Sequence, residues 1–203
     1  MADEAPAILV VMALEAEGAG RFEAAGIEVL YTGVGKVNAA IVLTRRLSEH
    51  GRGARRLPFA VNFGTAGSAT LPARALVACR RFVDRDMDVG ALGFAPGVTP
   101  FDALPPILEF PAAFPELPEA VCGSGYSFAT AHGGIDCDVL DMEAYALAKA
   151  CKHAGAQFAC AKYVSDGADE NAAQHWQANV AGAADRFVEL YRSLFSRRSA
   201  SLS

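Results

Sequence analysis

Apolar positions along this chain follow two rhythms: short continuous or alternating runs, and longer stretches recurring at the helical period. Together they predict strands interleaved with helices. Residues 7–12 (AILVVM) form an uninterrupted apolar run, as a strand covered on both faces requires, and lead into an acid-rich helix expected over residues 14–25. Residues 27–31 predict a second strand. It feeds the turn Thr32-Gly33-Val34-Gly35-Lys36 and a helix whose apolar positions recur to Leu47. A third strand is expected over residues 57–63, closed by a small-residue turn at 64–68, and a fourth over 74–83, followed by a loop at 84–89. Seven prolines between residues 90 and 118 then break helix and central strand alike, marking an irregular wall or lid.

Regular structure resumes with short strands at 120–122 and 137–140, and a helix is expected over residues 142–153, where apolar or small residues keep the helical period and Asp141 can cap. Residues 157–164 are apolar on both alternating faces apart from Lys162 and read as a central strand, ending in Ser165-Asp166-Gly167. One long amphipathic helix over residues 171–195 closes the fold, with Trp176, Val180, Ala184, Phe187, Leu190, Tyr191 and Leu194 on its apolar face.

The 203 residues are 52% hydrophobic and 20% charged, the composition of a globular chain with a proper core, and they are expected to form a single domain over 1–203. A net charge of -5 and scattered arginines without a basic stripe argue against nucleic acid as a partner. Cys79, Cys122, Cys137, Cys151 and Cys160 have no paired spacing and read as small hydrophobes in a reducing compartment. The four histidines make no metal pattern, and no apolar run approaches membrane-spanning length, so a soluble cytoplasmic protein is expected.

Candidate chemistry lies where regular structure gives way. Glu143 falls in the first turn of a helix, where the dipole favours its charged form, and Asp166 follows a strand's carboxyl end, where open α/β sheets bind ligands. Alone, the first would ordinarily be a dipole partner and the second a turn residue. Glu15 and Glu17 likewise follow the first strand, and an acid-rich first turn is the ordinary account of them. Gly33 and Gly35 allow close backbone approach, and the helix start after them offers N–H groups to an anion or hydroxyl.

Taken in order, MALEAE (12–17), TGVGKVNAA (32–40), NFGTAG (62–67), GSGYSF (123–128), DMEA (141–144) and SDGAD (165–169) resemble the nucleoside phosphorylase and nucleosidase superfamily, most closely the 5'-methylthioadenosine/S-adenosylhomocysteine nucleosidases. The resemblance implies a three-layer α/β sandwich around a central mixed, partly barrel-like β-sheet, a homodimer, no cofactor, and cleavage of the N-glycosidic bond of an adenine nucleoside. Carried over by position, Asp166 serves purine N7 with help from Ser165, Glu143 holds the ribose hydroxyls, and Met142 lies against the sugar. Glu17 activates water, Thr65 sits beside that water, and Phe128 packs on the base. The reaction leaves an electron-rich purine and a sugar with oxocarbenium character, so it needs an acid at the base and negative charge near the ribose.

Superfamily phosphorylases place an arginine where this chain has Asn62, and Glu15 and Glu17 would repel phosphate, so water is the expected nucleophile. The segment before TGVGK is short, Tyr126 stands where an acid is common, and Asp141 replaces a glutamate. Lys162 is expected in a structural salt bridge with a neighbouring acid. Another 5'-substituted adenosine, as in the adenosylhopane and futalosine enzymes, phosphorolysis, or nucleoside binding without catalysis are the alternatives.

Overall fold

The computed structural model describes residues 7–51, 56–127 and 135–200. Among the described residues eight strands make one sheet: β1 (Ile8–Met12), β2 (Val29–Tyr31), β3 (Phe59–Gly67), β4 (Leu76–Asp84), β5 (Ile107–Glu109), β6 (Glu119–Ser124), β7 (Val139–Asp141) and β8 (Phe158–Asp166). Their order is β2-β1-β3-β7-β6-β4-β5, with β8 paired to both β3 and β4. That double pairing closes β3, β7, β6, β4 and β8 into a ring, from which β1 and β2 extend on one side and β5 on the other. Parallel pairs (β1 with β2 and β3, β3 with β8, β4 with β6, β6 with β7) mix with antiparallel ones (β3 with β7, β4 with β5 and β8). The sheet is therefore mixed and partly barrel-like.

The layers follow from the two-residue period of strands. Leu9, Val11, Ala60 and Cys160 face one apolar cluster, which α3 (Lys36–Gly51) and α4 (Ala144–Ala154) complete through Leu43, Leu47, Leu147 and Cys151. Val10, Met12, Val61, Phe63 and Ala161 face the other, completed by Phe22, Phe187, Leu190 and Leu194. Three layers result. No helix among the described residues is long and apolar enough to cross a membrane.

Three predicted elements differ from the structure. The helix expected over 14–25 is broken into α1 (Glu15–Gly18) and α2 (Arg21–Ala24), because Ala19 and Gly20 take left-handed backbone with φ of 45° and 70°. The expected turn at 64–68 is instead the end of β3, which continues beside β8 to Gly67. Its glycines serve close packing: a Cβ at Gly64 would lie 3.1 Å from both Glu17 Oε1 and Lys162 Nζ, and one at Gly67 only 2.6 Å from Asp166 Oδ1. Finally, the closing helix is split into α5 (Ala172–Asn179) and α6 (Ala184–Ala200). Gly182 in the break lies against Tyr163, whose hydroxyl would be 2.7 Å from an added Cβ. The break frees α5 to cross the carboxyl end of β8 while α6 packs on the core.

Candidate functional site

The carboxyl ends of β1, β3, β7 and β8 surround a cavity of about 210 Å³, walled by Glu17, Thr65, Met142, Glu143, Ser165 and Asp166 among others. Six of the seven residues singled out from sequence thus share one site. Phe128, the seventh, lies outside the described residues.

Glu17 is buried on α1, whereas Glu15 in the same turn is exposed. Its Oε2 accepts the Leu14 N–H at 3.2 Å, and its Oε1 accepts both the Thr65 N–H at 2.7 Å and the Thr65 hydroxyl at 2.9 Å. A carboxylate facing inward across two elements is not a surface dipole partner, so the ordinary account of an acid-rich first turn fails for Glu17 and suffices for Glu15.

Glu143 caps α4 rather than lying in its first turn, and its Oε1 accepts the Gly35 N–H at 2.7 Å. That contact explains the TGVG turn. Gly35 has φ of 98°, and a Cβ there would meet the Tyr126 ring at 3.2 Å. Two of the donors expected to serve a ligand are already used, the Gly35 N–H by Glu143 and the Val37 N–H by Tyr126 Oη at 3.0 Å. Nor does the dipole decide the charge of Glu143. Burial, reinforced by the neighbouring Asp141 carboxylate, pushes its carboxyl up to about 7, against the opposing pull of Lys162 and the Gly35 N–H.

Beneath Glu143, the buried Lys162 ammonium lies 2.8 Å from Asp141 Oδ2, the structural salt bridge expected from sequence. Burial alone would raise the Asp141 carboxyl, but Lys162, the Ser124 hydroxyl and the Ala144 N–H hold it below its ordinary value. Reciprocally, Asp141 outweighs the burial of Lys162 and keeps that amine well above the usual lysine range.

Asp166 ends β8 beside the bulge at Ala66 and Gly67. Its Oδ2 accepts the Ser165 hydroxyl at 2.7 Å and its Oδ1 the Ala168 N–H at 3.0 Å. Ala168 takes a left-handed φ of 51° to make this turn. The carboxyl is buried and held from two sides, with Gly67 leaving it room.

Sequence reasoning missed two residues of the wall, Trp176 and Arg85. Trp176 was placed on an apolar helix face, yet its indole N–H donates to Thr65 Oγ1 at 3.0 Å. Arg85 lies in the segment 84–89, which the sequence predicts only as a loop. Its side chain is 6% exposed and donates to the Ser127 hydroxyl at 3.1 Å and to the Ser127 carbonyl. The acids around it, Asp84 and Asp86, both accept from Lys36, at 2.5 and 3.1 Å. Asn62 is tied into the sheet: its amide donates to the Val11 carbonyl at 3.0 Å and accepts from Cys160 Sγ at 3.3 Å. Among the described residues no cluster of histidine, cysteine, aspartate or glutamate could hold a metal ion.

Comparison with known proteins adds sequence and fold relatives. Residues 127–196 match the family described as the phosphorylase superfamily. A 5'-methylthioadenosine/S-adenosylhomocysteine nucleosidase of Geobacillus kaustophilus is 30% identical over 199 residues, covering 87% of this chain and 82% of its own. One from Marinomonas is 26% identical over 189 residues, covering 82% and 79%. Among solved structures, a mutant Helicobacter pylori nucleosidase with 5'-methylthioadenosine in its active site superposes with a TM-score of 0.84 at 19% identity, covering 96% of this chain and 100% of its own. A mutant futalosine hydrolase of Helicobacter pylori superposes with a TM-score of 0.83 at 20% identity, covering 95% and 99%.

Proposed function

The chain belongs to the nucleoside phosphorylase superfamily and is similar to its 5'-methylthioadenosine/S-adenosylhomocysteine nucleosidases; from that premise we propose that it hydrolyses the N-glycosidic bond of a 5'-modified adenine nucleoside. The observation that carries this reading is the meeting of Glu17, Glu143 and Asp166 in one cavity, each fixed by hydrogen bonds: Glu17 from Leu14 and Thr65, Glu143 from Gly35, and Asp166 from Ser165 and Ala168. In this reading Glu17 takes a proton from water as its oxygen bonds to C1'. The C1'–N9 electron pair leaves with the purine, and Asp166, steadied by Ser165, supplies the proton at N7. Glu143 accepts from the ribose hydroxyls while Met142 covers the sugar, and Phe128 is assigned to the base.

Water is favoured over phosphate because Glu17 stands at the attacking side and the Asn62 amide is committed to the sheet. The test is release of adenine from methylthioadenosine, adenosylhomocysteine and adenosine, each with and without phosphate. Free thioribose or ribose at the same rate in both conditions is the expected result, and sugar 1-phosphate would replace hydrolysis by phosphorolysis.

A second prediction concerns pH. Glu143 retains its proton up to about pH 7, and ribose hydroxyls donate best to the ionised form. Nucleoside affinity should therefore strengthen as pH rises towards 7, by up to about tenfold per unit, and level off above it. Glu143→Gln should flatten that profile and weaken ribonucleosides more than 2'-deoxy analogues; equal losses on both would remove Glu143 from the ribose.

A second reading, another nucleoside with a hydrogen-bond acceptor near Ser127, is favoured by Arg85. Its guanidinium is buried in the cavity wall and its Nε has no hydrogen-bond partner among the described residues. Futalosine included in the same assay separates the two readings. The homodimer is supported by exposed Val37 and Ile41 on α3, and sedimentation tests it. Cys79, Cys122, Cys151 and Cys160 are buried free thiols, which suits a reducing cytoplasm.

A further inference from the structure

We infer that Trp176 is a positioning residue, fixing the Glu17 carboxylate through the Thr65 hydroxyl and leaving that hydroxyl as a hydrogen-bond acceptor in the cavity. The inference rests on the nucleosidase reading for its kinetic consequence, though not for its geometry.

Three groups stand in a line. The indole N–H lies 3.0 Å from Thr65 Oγ1, which lies 2.9 Å from Glu17 Oε1. An indole nitrogen can only donate, an ionised carboxylate can only accept, and a threonine hydroxyl has one proton to give. The direction of the chain is therefore forced: Trp176 donates to Thr65, and Thr65 donates to Glu17. Thr65 has no proton left for anything in the cavity, and its remaining lone pair can only accept. A water between Glu17 and Thr65 would give one proton to each, which turns an oxygen lone pair away from both acceptors and towards a sugar carbon.

The helix that carries the indole is itself held. Asn179, three residues along and on the same face of α5, donates to the Ser165 carbonyl at 3.0 Å and to the His175 carbonyl at 2.9 Å. Thus α5 bridges Thr65 on β3 and Ser165 on β8, one beside the attacking side of the site and the other beside Asp166. The break before α6 gives this short helix its own direction across the two strand ends. Thr65 contributes a second constraint, since its N–H also reaches Glu17 Oε1 at 2.7 Å. Loss of the hydroxyl relay should consequently loosen Glu17 without releasing it.

Trp176→Phe keeps an aromatic wall and removes only the N–H. It should lower kcat about tenfold with KM changed less than about twofold. Thr65→Val, which retains the backbone contact to Glu17, should cost at least as much, and adding Trp176→Phe to it should cost nothing further. In Thr65→Ser the hydroxyl remains, so Trp176→Phe should again lower kcat about tenfold. Unchanged kcat in Trp176→Phe, or losses that multiply in the double variant, would overturn the relay.

A readout independent of turnover uses the fact that Trp176 is the sole tryptophan of the chain, so its indole N–H gives one assignable NMR signal. Thr65→Val should shift that signal and speed its hydrogen exchange by about tenfold or more. An unmoved signal with unchanged exchange sinks the relay even if the enzyme is active. Wild-type protein that cleaves no nucleoside sinks the nucleosidase reading, while the indole signal still decides the relay.

Discussion

Asp166→Asn is expected to lower turnover by about three orders of magnitude while leaving nucleoside affinity within about tenfold, the span that loss of a general acid covers when binding groups remain. The substitution is nearly isosteric and the surroundings can absorb it. An amide oxygen at the Oδ1 position still accepts the Ala168 N–H, and the amide NH₂ can donate to the Ser165 hydroxyl, which presently donates to Oδ2. What disappears is the ability to deliver a proton to a purine nitrogen. Single-turnover release of adenine together with equilibrium binding of the same nucleoside separates the two effects. Retained turnover would move the acid elsewhere in the cavity, and a parallel collapse of binding would make Asp166 a structural residue.

The same carboxyl shows how far the sequence could be read. Asp166 and Glu143 were visible because each ends a strongly patterned element, a strand apolar on both faces or a helix with clean periodicity. Their meeting required the sheet, since Glu143 is carried by α4 and held by a glycine turn 108 residues earlier. Glu17 was harder, because an acid after a strand is ordinary and only the contact with Thr65 distinguishes it from Glu15. Trp176 was misread for a physical reason: on an amphipathic helix a tryptophan satisfies the apolar pattern, and nothing in that pattern tells whether its N–H finds a partner. Small residues at 64–67 looked like a turn for a similar reason. Glycine marks either a chain reversal or a place where something must approach closely, and here Glu17, Lys162 and Asp166 approach a strand that continues.

The charge of Glu143 exposes a further limit of one-dimensional reading. Helix position alone favours the ionised form by a fraction of a kcal/mol at an exposed site, typically ~0.3–1 kcal/mol. Burial and the adjacent Asp141 act in the opposite direction and prevail, bringing the carboxyl to about 7. Neither is visible before the fold is known, because Asp141, Lys162 and Glu143 converge from a strand end, a central strand and a helix cap.

That convergence makes Lys162→Met the most damaging substitution expected for stability. The ammonium and its partner Asp141 have side chains 2% and 1% exposed, so removing one charge strands the other without water. Breaking such a pair costs about 3–5 kcal/mol, which in a chain of this size lowers Tm by roughly 10 °C. The pH dependence carries the diagnosis. With Lys162 present, the depressed Asp141 carboxyl contributes stability above its unfolded value, which is lost only as pH falls through the lower folded one. Without Lys162 the stranded carboxylate relieves its penalty by binding a proton, so its folded-state pKa moves upward and stability improves as the solution is acidified. The deficit of Lys162→Met relative to wild type should therefore be larger at pH 7 than at about pH 5 in parallel thermal melts. Adding Asp141→Asn removes the stranded charge while keeping an acceptor for the Ala144 N–H, which Asp141 now receives at 2.9 Å, and should recover part of the loss. Equal deficits at both pH values, with no recovery in the double variant, would mean that Lys162 stabilises the barrel by packing its methylenes, and that the ion pair beneath Glu143 contributes little.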